Sequence, residues 1–313
     1  MSDRILTGVQ QIMIGSRCNS YETARDTLSA IKRAGYDGIE LNEFMIKPTP
    51  FLVRMLTKFA GMPTGKGGKL DWHRLISESG LQVISLHSYL NTMEADPEAV
   101  AKEALSFGTD TVVITGMYRF DYSREEEVRK LAERLNRAGE ALSRYGVRLL
   151  YHNHNAELQK VAEDQTAMDL LMEKTDPAYV SFELDTYWIA DGGGDVIALI
   201  NKLGSRMAMW HINDRGCRQQ GPFLTPILKE DSMELGRGNL PLEKFYETVR
   251  ANTAVRAIVL ETHRNWIDGD PVKSLTLSGK WLRKHLPGTD SQEMIKRHDE
   301  WQMQGRPDMN ANE

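Results

Sequence analysis

The chain has 313 residues, 41% hydrophobic and 27% charged, the makeup of a globular protein large enough to bury a sizeable core. A formal net charge of −5 and the lack of a long basic run argue against a nucleic-acid partner held through phosphate contacts. The start, Met1-Ser2-Asp3-Arg4-Ile5, has no apolar leader, no run approaches ~18 apolar residues, and the two cysteines, Cys18 and Cys217, read as free thiols, so the expectation is a cytoplasmic enzyme without a membrane partner.

Short apolar runs alternate with amphipathic stretches. The first predicted strand is Gly8 to Ile14, followed by a helix from Tyr21 to Ala34 that Gly35 closes. Further strands are predicted at Gly38–Leu41, Val83–His87, Thr111–Thr115, Val147–His152, Val180–Asp185, Met207–Ile212 and Ala257–Glu261. Between the fourth and fifth, Leu131, Leu135, Ala138 and Leu142 repeat at helical spacing within a helix from Arg124 to Tyr145, with Ser123 as its expected N-cap and Gly146 past its end. Nearly continuous apolar strands separated by helices predict a parallel sheet covered by helices, and eight such units favour a closed (β/α)8 barrel over an open sheet. No phosphate-binding glycine loop follows the first strand.

Three stretches depart from the repeat. Asn42 to Asp71 holds an apolar segment, Phe51 to Phe59, and a glycine-rich loop from Pro63 to Gly68; it reads as a lid or subunit-contact insertion after strand two. The connection from Asp214 to Leu240 is long and rich in Gly, Pro and Arg. The domain division is a barrel over residues 1–286 and a polar C-terminal extension over 287–313.

The chemistry lies where strands five to eight end: Tyr151-His152-Asn153-His154-Asn155-Ala156-Glu157, Glu183-Leu184-Asp185, His211-Ile212-Asn213-Asp214, and Glu261-Thr262-His263. In a parallel barrel all strand C-termini ring one mouth, so four consecutive strands deliver carboxylates and imidazoles to one place. One Glu or His at a strand end is usually a surface or capping residue; four together are a site. Oxygen and imidazole donors without thiolate suit one divalent ion, Mn2+ foremost, with Mg2+, Fe2+, Co2+ or Zn2+ as alternatives. Such an ion holds vicinal oxygens of a polyol and stabilises an enediolate.

The ordered motifs Gly38-Ile39-Glu40-Leu41, Leu86-His87, His152-Asn153-His154, Asp185-Thr186-Tyr187-Trp188, His211-Ile212-Asn213-Asp214, Leu235-Gly236-Arg237-Gly238 and Glu261 resemble the xylose isomerase-like barrel superfamily of sugar phosphate isomerases and epimerases, over roughly residues 8–286. The resemblance implies a metal held by Glu, Asp, His and Glu from strands five to eight. Asp185, His211 and Glu261 match. The strand-five glutamate position falls on His152, with Glu157 the nearest carboxylate; either completes the set, and Glu157 is taken here as the ligand.

That assignment leaves His152 and Glu261, with His154, to exchange protons next to a carbonyl, and an imidazole titrates near neutrality. His87, Glu40, Trp188, Arg215 and His263 are candidates to line the substrate; His73, His285 and His298 fall in helical or tail segments. The first expectation is an isomerase or epimerase of a sugar or polyol. The alternative is a lyase or dehydratase on a keto-sugar, inosose or 3-keto-glycoside. An abasic-site endonuclease and a non-catalytic binding protein are more distant readings. A homo-oligomer is expected, with a second kind of subunit as a variant.

Overall fold

The computed structural model describes residues 4–48, 55, 65–218 and 228–288. Eight parallel strands close into a barrel: β1 (Leu6–Gln10), β2 (Gly38–Asn42), β3 (Gln82–His87), β4 (Thr111–Thr115), β5 (Arg148–His152), β6 (Val180–Asp185), β7 (Met207–Ile212) and β8 (Ala257–Leu260). Each pairs with its neighbour in sequence, and β8 returns to β1 with Leu6 opposite Ala257 and Val9 opposite Leu260. The outer ring is α1 (Tyr21–Arg33), α2 (Trp72–Ser79), α3 (Pro97–Ser106), α4 (Glu125–Ser143), α5 (Ala167–Lys174), α6 (Val196–Leu203), α7 (Leu242–Asn252) and α8 (Pro271–His285).

Local chemistry sets the boundaries. α1 starts at Ser20, whose hydroxyl accepts the Thr23 amide while Thr23 reaches back to the Ser20 amide, and it ends before Gly35 at φ +92°. α4 buries Leu131, Leu135, Ala138 and Leu142, the face its spacing predicts. Its N-cap is Arg124 rather than Ser123, because Asp121 holds the Ser123 amide and hydroxyl at 3.0 and 2.6 Å. Three glutamates in the first turn complement the helix dipole there. The first predicted strand is shorter than expected. The Gln10 side chain accepts the Ile12 amide at 2.8 Å and turns Gln11–Arg17 into a 3-10 helix across the barrel mouth.

Strand alternation divides the interior in two. Leu149, Tyr151, Phe182 and Leu184 face the helices in the large outer core. Val113, Leu150, Met209 and Val259 fill the lower lumen with Leu6 and Ile84 packed against them. Each fully buried Leu, Ile or Val contributes roughly 1.5–3 kcal/mol. Gly38 makes room for this layer: a Cβ there would meet the Gln82 carbonyl at 2.5 Å and Ile84 Cγ1 at 2.8 Å. One layer higher the same inward positions become Glu40, His87, His152, Glu183, Asp185 and His211, all buried.

Among the described residues two short hairpins decorate the barrel, Lys160–Ala162 with Gln165–Thr166 and Asp214–Cys217 with Glu230–Met233. Residues 49–54 and 56–64 of the expected insertion, and residues 289–313 of the expected extension with His298, lie outside the described residues. Among the described residues no helix is long and apolar enough to cross a membrane. Cys18 is buried and Cys217 exposed, and both are free.

Candidate metal centre and active site

Four buried side chains at the C-terminal ends of the strands face one another. Ligand-capable atoms of His152, Asp185, His211 and Glu261 all lie within 4.8 Å of one another. His211 Nδ1 is 2.9 Å from Glu261 Oε2 and 3.9 Å from Asp185 Oδ2, and His152 Nε2 is 4.0 Å from Glu261 Oε2. Asp185 caps the following helical turn, accepting the Trp188 amide on Oδ1 at 3.1 Å, which leaves Oδ2 toward His211. Asn153 ties β5 to β6, accepting the Asp185 amide at 2.9 Å and donating to its carbonyl at 3.2 Å.

Beneath this set lies a second layer. Glu40, His87 and Glu183 gather under the other nitrogen of His211, which is 2.6 Å from Glu40 Oε2 and 3.2 Å from Glu183 Oε2. Glu183 Oε2 also accepts from His152 Nδ1 at 3.1 Å. Glu40 further accepts from the Ser85 hydroxyl and, at 3.3 Å, from the Gln10 amide. His87 Nδ1 faces the Thr115 hydroxyl at 2.9 Å, and its Nε2 is 3.0 Å from Glu40.

The electrostatics follow from this packing. Burial disfavours charge on His87, yet Glu40 and Glu183 override it and push the ring up to about 10. Burial likewise opposes charge on His211, but Glu183, Glu40 and Glu261 hold it well above an ordinary histidine. Glu183 is held well below the usual carboxylate range, because His211 and the hydrogen bonds from His152, His211 and His87 outweigh its burial. Asp185 goes the other way: burial, with the Glu261 carboxylate adding, pushes it up to about 7. Two carboxylates and two imidazoles converging in a buried pocket, one carboxyl resisting ionisation beside the other, form a donor set that fits one divalent cation.

Above the cluster opens a cavity of about 540 Å3. Its polar wall is His87, His152, His154, Glu261 and His263; its apolar side includes Ile12, Phe44, Leu90 and Met117. The His154 and His263 rings flank Trp188, at 5.6 and 5.8 Å between centroids. Burial foremost, with His152 adding, pushes His154 down to about 3, so it stands as a neutral imidazole. Both ring nitrogens of His263 are buried without a hydrogen-bond partner.

The family model of the xylose isomerase-like TIM barrel matches residues 28–285. The chain belongs to that family. Inosose dehydratase of Bacillus licheniformis is 26% identical over 274 residues, covering 84% of this chain and 89% of the relative. A sugar phosphate isomerase/epimerase from Parabacteroides distasonis superposes with a TM-score of 0.70 at 18% identity, covering 91% and 96% of the two chains. The IOLI protein, whose structure contains a zinc atom, superposes at 0.65 with 14% identity, covering 92% and 100%. The last two likenesses show the shared barrel. A second inosose dehydratase, from Bacillus velezensis, matches at 26% identity over 277 residues, covering 84% of this chain and 89% of the relative.

The geometry sorts the residues expected from sequence. Asp185, His211 and Glu261 come together, and the strand-five member beside them is His152. Glu157, taken from the sequence as the ligand, is turned away. It is fully buried, and its oxygens accept from the Tyr151 hydroxyl at 2.7 Å and the His154 amide at 2.9 Å. Glu40, expected at the substrate, is fully buried under His211. Arg215 sits 3.4 Å from Asp191 and does not line the mouth cavity. His87, His154 and His263 do line it. His73 stacks on Phe107 and His285 on Trp281, both away from the site.

Glu183 is the member that sequence reasoning left without a role. The available signal was its spacing: two residues before Asp185 on a strand, it shares that residue's inward face, one layer down.

Proposed function

We propose that this protein is a metal-dependent lyase that eliminates water, or another oxygen leaving group, from a cyclic polyhydroxy ketone. The observation carrying this reading is the composition of the mouth. Strand five presents His152 and His154 there, while its carboxylate, Glu157, is committed elsewhere. A proton shuttle between two glutamates on strands five and eight therefore lacks one member. A β-elimination instead needs one group to take the proton next to the carbonyl and another to protonate the departing oxygen. The similarity to inosose dehydratases points the same way.

In this reading His152, Asp185, His211 and Glu261 would hold a divalent ion, which would supply Lewis-acid stabilisation of negative charge on the substrate's carbonyl oxygen. His154, at the wall of the mouth cavity, accepts the proton at the carbon next to the carbonyl. His263, whose ring nitrogens make no hydrogen bond and whose Nε2 is 3.8 Å from Glu261 Oε1, donates to the leaving oxygen. Trp188 separates the two rings and keeps both at the wall of the cavity. His87 lines the cavity floor with its Nδ1 on the Thr115 hydroxyl and its Nε2 toward Glu40.

The test is mass-resolved turnover of the metal-loaded protein on keto-inositols, keto-sugars and 3-keto-glycosides. Loss of water or of an aglycone is the expected outcome, and His154→Ala lowers kcat by about 10^2–10^4 with metal retained. Interconversion of stereoisomers without any loss of mass assigns the protein to the isomerases and overturns the lyase reading.

A further inference from the structure

His152 and Glu183 sit side by side in register on adjacent strands, β5 and β6. His152 Nδ1 is 3.1 Å from Glu183 Oε2, with both side chains buried. A carboxylate held among imidazoles can only accept, so the hydrogen on this ring sits on Nδ1 and the Nε2 lone pair is left free. That nitrogen is on the side of Glu261, 4.0 Å away. His211 is arranged the same way, with Nε2 on the lower carboxylates and Nδ1 toward Asp185 and Glu261. The lower layer thus fixes which nitrogen each ring presents to the mouth.

We infer that Glu183 is a positioning residue whose hydrogen bond makes His152 a nitrogen ligand, building a site of two imidazoles and two carboxylates from a strand that offers no carboxylate of its own. Glu183 lies one layer below Asp185, which follows it by two positions along β6 on the same inward face. The site keeps a carboxylate's charge beside strand five while the ligand atom becomes nitrogen. A second imidazole in place of an oxygen donor shifts preference toward Zn2+, Fe2+ or Co2+ and away from Mg2+ and Mn2+. This inference rests on the metal reading of the mouth given above.

The test is a double-mutant cycle read by metal affinity instead of turnover. Zn2+ and Mn2+ dissociation constants are measured by chelator competition for wild type, Glu183→Gln, His152→Glu and the double variant. Visible spectra of the Co2+ forms report the ligand set. Glu183→Gln is expected to weaken Zn2+ binding about 10–100-fold, the range for outer partners of metal-bound histidines. In the His152→Glu background Glu183 faces a carboxylate instead of an imidazole, so the same change there strengthens binding. His152→Glu combined with Glu183→Gln also moves the Mn2+/Zn2+ affinity ratio toward Mn2+ and alters the Co2+ spectrum.

A merely structural role gives a loss of the same sign in both backgrounds, and that result overturns the inference. Wild-type affinity in Glu183→Gln overturns it too. Should Glu183→Gln fail to fold, His152→Ala decides: affinity within twofold of wild type means His152 is no ligand. Failure of the wild type to bind any of these ions overturns the metal reading itself, whereas wild-type binding with indifferent variants overturns this inference alone.

Discussion

Glu157 is fully buried, and burial raises its carboxyl above the usual range, while Tyr151 and the His154 amide supply its hydrogen bonds. The Tyr151 hydroxyl lies 2.8 Å from that of Tyr122, which accepts the Met117 amide at 2.8 Å, so the chain of bonds ties the loop after β4 to the loop after β5. Removing the carboxylate leaves buried donors unpaired, at about 1–3 kcal/mol each. Glu157→Ala is therefore expected to lower unfolding free energy by that order in urea denaturation while retaining full metal stoichiometry. Loss of metal from a folded Glu157 variant would return this residue to the ligand set. In sequence the distinction was invisible. Glu157 is the nearest carboxylate to strand five, and only the fold shows that the 3-10 turn Ala156–Leu158 aims it back at Tyr151. Asp185, His211 and Glu261 were legible because each lies within one residue of the end of a strand whose inward face is fixed by alternation.

At the scale of elements, the segment after β7 shows how one side chain organises a loop. The Asp214 carboxylate accepts the amides of Gly236 and Gly238 at 2.9 Å and of Leu240 at 3.2 Å, as well as that of Arg215 at 2.9 Å. The motif Leu235-Gly236-Arg237-Gly238 is thus a turn wrapped on Asp214, and a Cβ at Gly238 would press on that carboxylate. Asp214→Ala is expected to cost about 2–4 kcal/mol, since several charge-assisted bonds go unmade. Faster amide exchange at residues 236–240 with unchanged exchange in β1 to β4 is the signature to measure; uniform protection across the barrel would sink this account. The strands themselves were legible from apolar runs, and seven of the eight match within one residue at each end. The exception at β1 arises from the Gln10 side chain taking the Ile12 amide, a local bond that periodicity does not encode. β8 stops at Leu260, so Glu261 lies just past the ladder with its amide still bonded to Ile212, at 3.2 Å.

For the whole molecule, closing the sheet brings β2 and β3 against β6 and β7 across the lumen, and this concentrates charge where no single segment shows it. The consequence is a stability that depends on pH and metal together. In the metal-free protein His87 titrates near about 10 against 6.5 for a free ring, so its contribution is complete below about 6.5 and is lost as pH rises through about 10. Asp185 acts in the same direction. Its carboxyl is pushed from 3.8 to about 7, and the stability tied to its proton is lost as pH rises through about 7. Glu183 has the opposite sign: held well below 4.5, it stabilises above its ordinary value and is lost only toward strong acid. From these groups the chelated protein is most stable in mildly acidic solution and weakens toward alkaline pH. Metal binding runs the other way, because its ligands must be deprotonated, and a bound ion stabilises in proportion to the logarithm of its occupancy ratio. The gap in Tm between Zn2+-loaded and chelated protein is therefore expected to widen from about pH 6 to about pH 8.5. Calorimetry across that range checks it, and a gap that stays constant or narrows would show that the protons on these buried groups are not the ones a metal displaces.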